Sequence, residues 1–387
     1  IHFNMRNHAK DADHALVITQ ILHKRNHVVH GCCTFEDDLS VLAAMVAEML
    51  HLTGPDVQGI MGAKQKGLFY DMMIRDVEGY DEVDVTPFAV PSFSIRNEQN
   101  LTHYMKMMAF PLILKLEHGS GSAGIVMVES EENCLQAYRD LVWQTERHKK
   151  QGGSGLGFAD TYVLMEYVPG SEHGVDLIIF RGELVAIFIR DRFMTVDGPP
   201  KESICVMPSQ LSYDKQQEII FAAYWTCRKL GLDDGVFNVD IRFDKYDVPK
   251  ILEVNGRMGG GYIREWIYNL YNIDLVVSLF QVSLGIWPRF GYLAPCGAMA
   301  GTFLTNTSHS SVLDDENLSN NLMSVYDNDT VFFQALRNIT NCGQGDFEKP
   351  RATLAVRGES VHHAIDLLKN CCRILNVNDS FYVLNAL

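Results

Sequence analysis

Between Val236 and Asn255 the chain settles into a period of two. From Val236 to Phe243 the residues alternate: Phe237, Val239, Ile241 and Phe243 are apolar, whereas Asn238, Asp240 and Arg242 are polar. A strand sends successive side chains to opposite faces, so this pattern predicts a strand with one face buried. Asp244–Lys250 is rich in turn residues, and Pro249 suits the start of the next strand because it has no N–H to give to a ladder. In Ile251–Asn255, Leu252 and Val254 are expected on one side, Glu253 and Asn255 on the other. Paired as a hairpin, the two strands bring Asp240 near Glu253 on a single polar face.

Elsewhere the rhythm changes between two and 3.6. Up to about Val85, with the run HALVITQILHKRNHVVHG, the pattern reads as alternating strand and helix. Leu39, Leu42, Ala43, Val46, Met49 and Leu50 recur at helical spacing and stop at Thr53-Gly54-Pro55. A second helical pattern contains Lys64-Gln65-Lys66-Gly67 and runs through Phe69 and Met72. Phe110–Leu116 is a strand, with Leu112, Leu114 and Leu116 on one face and Lys115 on the other. The loop Gly119–Gly124 and the strand IVMV follow it. Ser130 opens a helix striped by Leu135, Tyr138, Leu141 and Val142. Tyr162–Val168 is a strand; Val175–Phe180 and Leu184–Ile189 flank Arg181-Gly182-Glu183 as a hairpin. Met194–Leu211, holding Gly198-Pro199-Pro200, reads as a mobile loop. Ser212 opens another helix, and Tyr262–Leu284 reads as a single, largely apolar one. Beyond Cys296, short strands, a helix around His362–Leu368 and the terminal FYVLNAL suggest an α+β closing lobe.

Composition narrows the class. The 387 residues, 47% hydrophobic and 21% charged, can bury a large core divided over two or three subdomains. A formal charge of −15 argues against nucleic acid or an anionic membrane as partner, since both call for a basic surface. No apolar run approaches a transmembrane span. The nine cysteines are odd in number and form no C-x-x-C pair, which suggests neither a disulfide framework nor a zinc site and fits a reducing, cytoplasmic setting.

The candidate chemistry sits on the polar face of the first hairpin. Carboxylates facing each other across a sheet repel. Magnesium would reward the arrangement, because it takes oxygen ligands and lets substrate phosphates complete its octahedron. Asp240, Glu253 and Asn255 supply three oxygen-bearing side chains, and Arg257 adds a cation beside them. Upstream, Lys115 precedes a loop in which Gly121, Ser122 and Gly124 allow backbone N–H groups to approach phosphate oxygens. Arg190 and Arg192 could hold a substrate carboxylate or balance nearby acids.

The order Asp240, Glu253-x-Asn255-x-Arg257 and then glycines resembles the metal and phosphate end of the ATP-grasp ligases. The continuation through Tyr262 and Trp266 is most similar to the branch that joins β-alanine to histidine. That resemblance implies an α/β (α+β) fold in which two α+β subdomains grip ATP. The expected divisions are a partial α/β domain over 1–85, the nucleotide- and metal-binding core over 86–290 and the closing lobe over 291–387. It implies ATP as substrate, with magnesium (manganese as the alternative) at Asp240, Glu253 and Asn255. Lys66, with Lys64 as its competitor, and Lys115 would neutralise phosphates. The backbone of Tyr167 and Val168, together with Glu166, would meet the adenine edge, and Glu172 the ribose. Lys115 and Arg257 would act in catalysis. Amino acids are the implied co-substrates, and association into a homo-oligomer is compatible with the resemblance. A biotin-type carboxylase or a non-catalytic nucleotide binder would use the same apparatus.

Overall fold

The structure, a computed structural model, describes residues 10–74, 84, 86–117, 124–151, 161–194, 202–291, 293–305, 325, 330–335 and 350–377. Four helices come first: α1 (Asp11–Lys24), α2 (Ser40–Met49), α3 (Val57–Lys64) and α4 (Lys66–Ile74). No strand occurs among the described residues of this stretch, contrary to the alternation expected there. The contiguous ALVI run imitates a buried strand, but His14, Ala15 and Thr19 are buried at helical spacing. Acids in the first turn of α1 and bases in its last also favour a helix through its dipole.

Two antiparallel sheets follow, so the α+β reading holds. The smaller contains β1 (Ser92–Ile95), β2 (Leu112–Leu116), β3 (Val126–Val128) and β4 (Tyr162–Glu166), in the order β1-β4-β2-β3. Helices α5 (Glu98–Met105) and α6 (Glu131–Gln151) cover one face, where Leu112, Leu114 and Leu116 meet Leu101, Tyr138 and Leu141. Ser130 caps α6 as expected, its Oγ accepting from the Asn133 amide.

The larger sheet has eight strands. It comprises β5 (Glu172–Phe180), β6 (Glu183–Met194), β7 (Glu202–Met207), β8 (Gly235–Phe243), β9 (Pro249–Asn255), β10 (Ala298–Thr305), β11 (Val331–Ala335) and β12 (Pro350–Gly358). Their order is β11-β12-β10-β7-β6-β5-β8-β9. The β5–β6 hairpin turns at Arg181 and Gly182, both with positive φ. Strand β7 falls inside the stretch expected to be a mobile loop. Its ESICVM run pairs with β6 on one side and β10 on the other. The Gly-Pro-Pro cluster that suggested the loop lies outside the described residues. The strands expected in a closing lobe instead continue this same sheet, and α10 (Val361–Ile374) packs on them.

One face of the large sheet is apolar throughout its centre. Val175, Leu177, Ile179, Phe237, Val239 and Ile241 lie against α7 (Tyr213–Lys229) and residues of α2 and α3. The opposite face is divided. Ile178, Phe180, Ala186, Phe188 and Val236 are covered by α8 (Ile263–Tyr271) and α9 (Leu275–Ser283). These two helices replace the single helix expected over Tyr262–Leu284. Asn272 takes the left-handed conformation at φ 56°, and the Asp274 carboxylate accepts the amides of Val276 and Val277. A left-handed stop followed at once by an N-cap ends one helix and starts another. Beyond Ile178 and Val236 the same face becomes charged.

Candidate active site

The charged half of that face is a grid set by register. Across β6, β5 and β8, one row reads Arg192, Glu172, Arg242; the next reads Arg190, Gly174, Asp240 and, on β9, Glu253; the third reads Phe188, Asp176, Asn238, Asn255. Asp240 and Glu253 are direct cross-strand partners, as the hairpin reading required. One detail differs. A bulge between the Asp240–Glu253 and Ile241–Ile251 pairs leaves Leu252 unpaired. Ile251 and Val254 enter the core beside α7, while Leu252 turns to the cluster under the small sheet instead of sharing the side of Val254. An extra residue breaks the strict alternation, which a two-residue period cannot anticipate.

The acids and bases of the grid are matched closely. Arg192 Nη1 lies 2.9 Å from Glu172 Oε1 and 2.8 Å from Asp240 Oδ2. Arg242 donates through Nε to Glu172 Oε2 at 2.8 Å and through Nη1 to the Val168 carbonyl at 3.0 Å. Arg190 is turned inward to Asp176 and can lie across β5 because Gly174 has no side chain; a Cβ there would collide with the guanidinium. Of the two readings of Arg190 and Arg192, the geometry carries the balancing of local acids.

Two lysines reach the grid from the small-sheet side. Lys66 Nζ sits 3.3 Å from Glu253 Oε2, whereas Lys64 turns away to the Asp37 carbonyl and Asp38. The two lysines end and begin successive helices. The break at Gln65, with φ −101° and ψ 102°, sends them in different directions. Lys115 is buried on the face of β2 opposite Leu114 and Leu116. Burial, with Lys66 adding to it, pushes its amine down to about 8 against the pull of Glu253, Glu172 and Asp240. Burial would raise the Glu253 carboxyl, but Lys66, Lys115 and Arg192 outweigh it and hold the group far below the usual carboxylate range.

Glu117, to which the sequence reading gave no role, sets this corner. Its carboxylate accepts from the Gly67 amide and the Ser94 hydroxyl, both at 2.9 Å, and its carbonyl lies 3.4 Å from Lys66 Nζ. Its position directly after the lysine-bearing strand was the available signal. Arg242 was also missed, although it occupied the polar face beside Asp240.

Whether the donor set fits a divalent cation can be judged from Asp240. Its Oδ1 is buried and makes no hydrogen bond, with Arg190 Nη2 3.9 Å away, an arrangement that costs free energy unless something else uses the oxygen. Glu253 faces it across the ladder, and Asn255, whose amide donates to Asn238 Oδ1 at 3.1 Å, keeps its own oxygen on the same side, 3.4 Å from Arg257 Nη2. Among the described residues no cluster of three or more His, Cys, Asp or Glu side chains is arranged to hold a metal unaided. Two carboxylates and one amide suit magnesium, which usually keeps few protein ligands and completes its shell with phosphate and water.

Beside the grid Val90, Ile113, Val163, Met165 and Val168 form a buried apolar cluster, with Tyr167 and Leu252 partly buried against it. The Glu166 amide is already engaged by the Pro91 carbonyl. Gly121 and Ser122 lie outside the described residues; Gly124 is described, at φ 72°.

Residues 108–265 match the ATP-grasp domain family. The fold is the ATP-grasp fold, shared with solved structures of that kind. Over 383 residues the chain is 29% identical to carnosine synthase 1 of Mus musculus, covering 99% of this chain and 46% of that protein. The Gallus gallus carnosine synthase 1 is 30% identical over 382 residues, with 98% and 40% covered. The chain thus spans less than half the length of these relatives. Among solved structures, the L-amino acid ligase of Bacillus licheniformis superposes with a TM-score of 0.68 at 15% identity, over 94% of this chain and 83% of that one. The biotin carboxylase domain of Hydrogenobacter thermophilus 2-oxoglutarate carboxylase, in complex with MgADP, ADP and bicarbonate, gives 0.65 at 14% identity, over 93% and 77%.

Proposed function

We propose that this chain is the ligating part of an ATP-dependent carboxylate–amine ligase of the carnosine synthase kind, joining β-alanine to L-histidine. The observation that carries the reading is the Asp240–Glu253 cross-strand pair, with an Asp240 oxygen that makes no hydrogen bond, near the two lysines Lys66 and Lys115. A pair of facing carboxylates beside buried cations suits a metal-bound polyphosphate better than it suits an idle surface.

In this scheme an oxygen of the donor carboxylate attacks the γ-phosphorus of ATP, the bond to the β-phosphate oxygen breaks, and ADP leaves. The acceptor amine then attacks the acyl carbon, phosphate departs with its bonding pair, and the ammonium proton is released to solvent. The chemistry calls for alignment and charge neutralisation rather than a protein nucleophile. Asp240, Glu253 and Asn255 would hold magnesium, which when bound supplies charge to the phosphate oxygens. Lys66 and Lys115 neutralise the inner phosphates. Arg257 stabilises the transferring phosphoryl group or the tetrahedral intermediate. The adenine would lie beside the apolar cluster, with the backbone of Tyr167 and Val168 at its edge, and Glu172 would meet the ribose hydroxyls. All eight described cysteines are free, which supports a cytoplasmic setting.

The test is ADP release from the protein with Mg-ATP, β-alanine and a panel of amino acids. Turnover that requires both β-alanine and histidine is the expected result. Turnover with other pairs would overturn the substrate assignment, and Mg-ATP binding without any turnover would overturn the catalytic reading for this chain.

A further inference from the structure

Asp176 is fully buried on β5, at the boundary between the charged grid and the apolar half of the sheet. One carboxylate oxygen pairs with Arg190 on β6. The other accepts the backbone amide of Gly259 at 2.7 Å, from the turn Gly256–Gly261 that follows β9. That turn carries Arg257. Of its guanidinium, Nη1 donates to the neighbouring Met258 carbonyl at 2.8 Å, Nη2 lies 3.4 Å from Asn255 Oδ1, and Nε lies 3.8 Å from Asp37 Oδ1. The turn is also built for close approach. A Cβ on Gly259 would fall 2.6 Å from Asp176 Oδ1, and Gly261 needs positive φ, whereas Gly260 faces open space. An internal charge pair thus grips the turn two residues after the arginine, while the arginine itself stays available to a ligand.

We propose that Asp176 is a positioning residue: with Arg190 it locks the glycine turn so that Arg257 points at the phosphoryl group in transfer. Neither Asp176 nor Arg190 need touch substrate; Arg190 pairs most closely with Asp176, has Asp240 Oδ1 3.9 Å from its Nη2, and lies across β5 above Gly174. An ion pair buried this completely is a weak source of stability but holds a defined geometry, because moving either partner strands the other. The proposal rests on the reading that Arg257 serves phosphoryl transfer, and its test requires no amino-acid substrate.

The experiment measures binding of Mg-ADP alone, and of Mg-ADP with aluminium fluoride as a mimic of the phosphoryl group in flight, to the wild type, Asp176→Asn, Arg257→Ala and the double variant. Asp176→Asn is expected to weaken the fluoride complex about tenfold while leaving Mg-ADP within about twofold. The double variant should bind the fluoride complex no worse than Arg257→Ala alone, because residues acting through one another are not additive. Since Asp176→Asn also strands the Arg190 charge and risks misfolding, Gly259→Ala provides a second route. It crowds the turn away from Asp176 with the ion pair left in place, and should reproduce the selective loss. Additive losses, or a loss shared equally by Mg-ADP and the fluoride complex, would overturn the proposal in favour of a purely structural role. A wild type that discriminates between the two complexes but releases no ADP with any amino-acid pair would instead refute the ligase reading and leave the positioning result standing.

Discussion

One face of the large sheet is two surfaces joined end to end. On β5 the residues of this face run Glu172, Gly174, Asp176, Ile178, Phe180; on β6, Ala186, Phe188, Arg190, Arg192; on β8, Val236, Asn238, Asp240, Arg242. Strands β5 and β8 turn polar at the same level, after Ile178 and Val236, and β6 follows one row later, after Phe188, although β5 runs opposite to its neighbours. The apolar half lies under α8 and α9, with Trp266 stacked on Tyr262 at a centroid distance of 4.4 Å. The charged half lies toward the small sheet and its two lysines. Burial of apolar area is non-directional and tolerates many side chains of similar size. The grid of Arg192, Glu172, Arg242, Asp240 and Glu253 depends on which residue faces which, so it depends on register. The comparison teaches that a single sheet can be stabilised at one end and kept electrostatically poised at the other.

The sharpest way to break this division is at Glu253. Glu253→Gln keeps the shape but removes the charge, and ATP-dependent turnover should fall on the order of a thousandfold, comparable with removing a key electrostatic stabiliser. Circular dichroism should remain that of the wild type, and turnover above a tenth of the wild-type rate would remove Glu253 from the metal site. The opposite cut is Trp266→Ala, buried at 1% exposure under the apolar half. It should cost about 3–5 kcal/mol in denaturant unfolding, with little change in Mg-ATP affinity while the fold persists. Loss of nucleotide affinity at unchanged stability would show that the two halves are not separable in this way.

Smaller effects sharpen the charged half. Lys66→Ala should weaken Mg-ATP binding roughly 10- to 100-fold, the worth of one charge-assisted contact, and Lys64→Ala should change it less than about twofold. The reverse ranking in a titration would return Lys64 to the phosphate site. Lys115 provides a pH handle. Its amine is pushed down to about 8 from 10.5, so it loses its charge as pH rises through about 8, and phosphate affinity should decline with it. Between about 8 and 10.5 the folded chain binds fewer protons at this site than the unfolded chain. Its contribution to stability therefore rises with pH over the window in which binding falls. Lys115→Arg, which stays charged, should flatten the binding profile; an unchanged decline would assign the titration to another group.

Much of the site was legible because strands expose their chemistry at a period of two. The alternation of Asn238, Asp240 and Arg242 and the spacing to Glu253 and Asn255 were enough to pair the two carboxylates across a hairpin. The Leu252 bulge was not legible, because nothing in ILEVN distinguishes a regular strand from one with an extra residue. The break at Asn272–Asp274 was overlooked inside an apolar run, although both residues are recognised helix punctuation. Strand β7 was obscured by the Gly-Pro-Pro cluster next to it. Glu117 and Asp176 escaped notice because their partners are distant in the chain: Gly67 and Ser94 for one, Arg190 and Gly259 for the other.

By itself the sequence determined the local rules. It set the residue type at every strand position, the caps at Ser130 and Ser212, the turn at Arg181-Gly182, and a stretch whose carboxylates, amide, arginine and glycines could serve a metal-bound phosphate. Only the tertiary structure decided which cations answer them. Lys66 and Lys115 come from a helix start and a strand far earlier in the chain. Lys66 rather than Lys64 meets Glu253 because of a change of backbone direction at Gln65. Local propensity acts over a few residues, whereas Coulomb attraction and burial act between groups that only folding brings within a few ångströms.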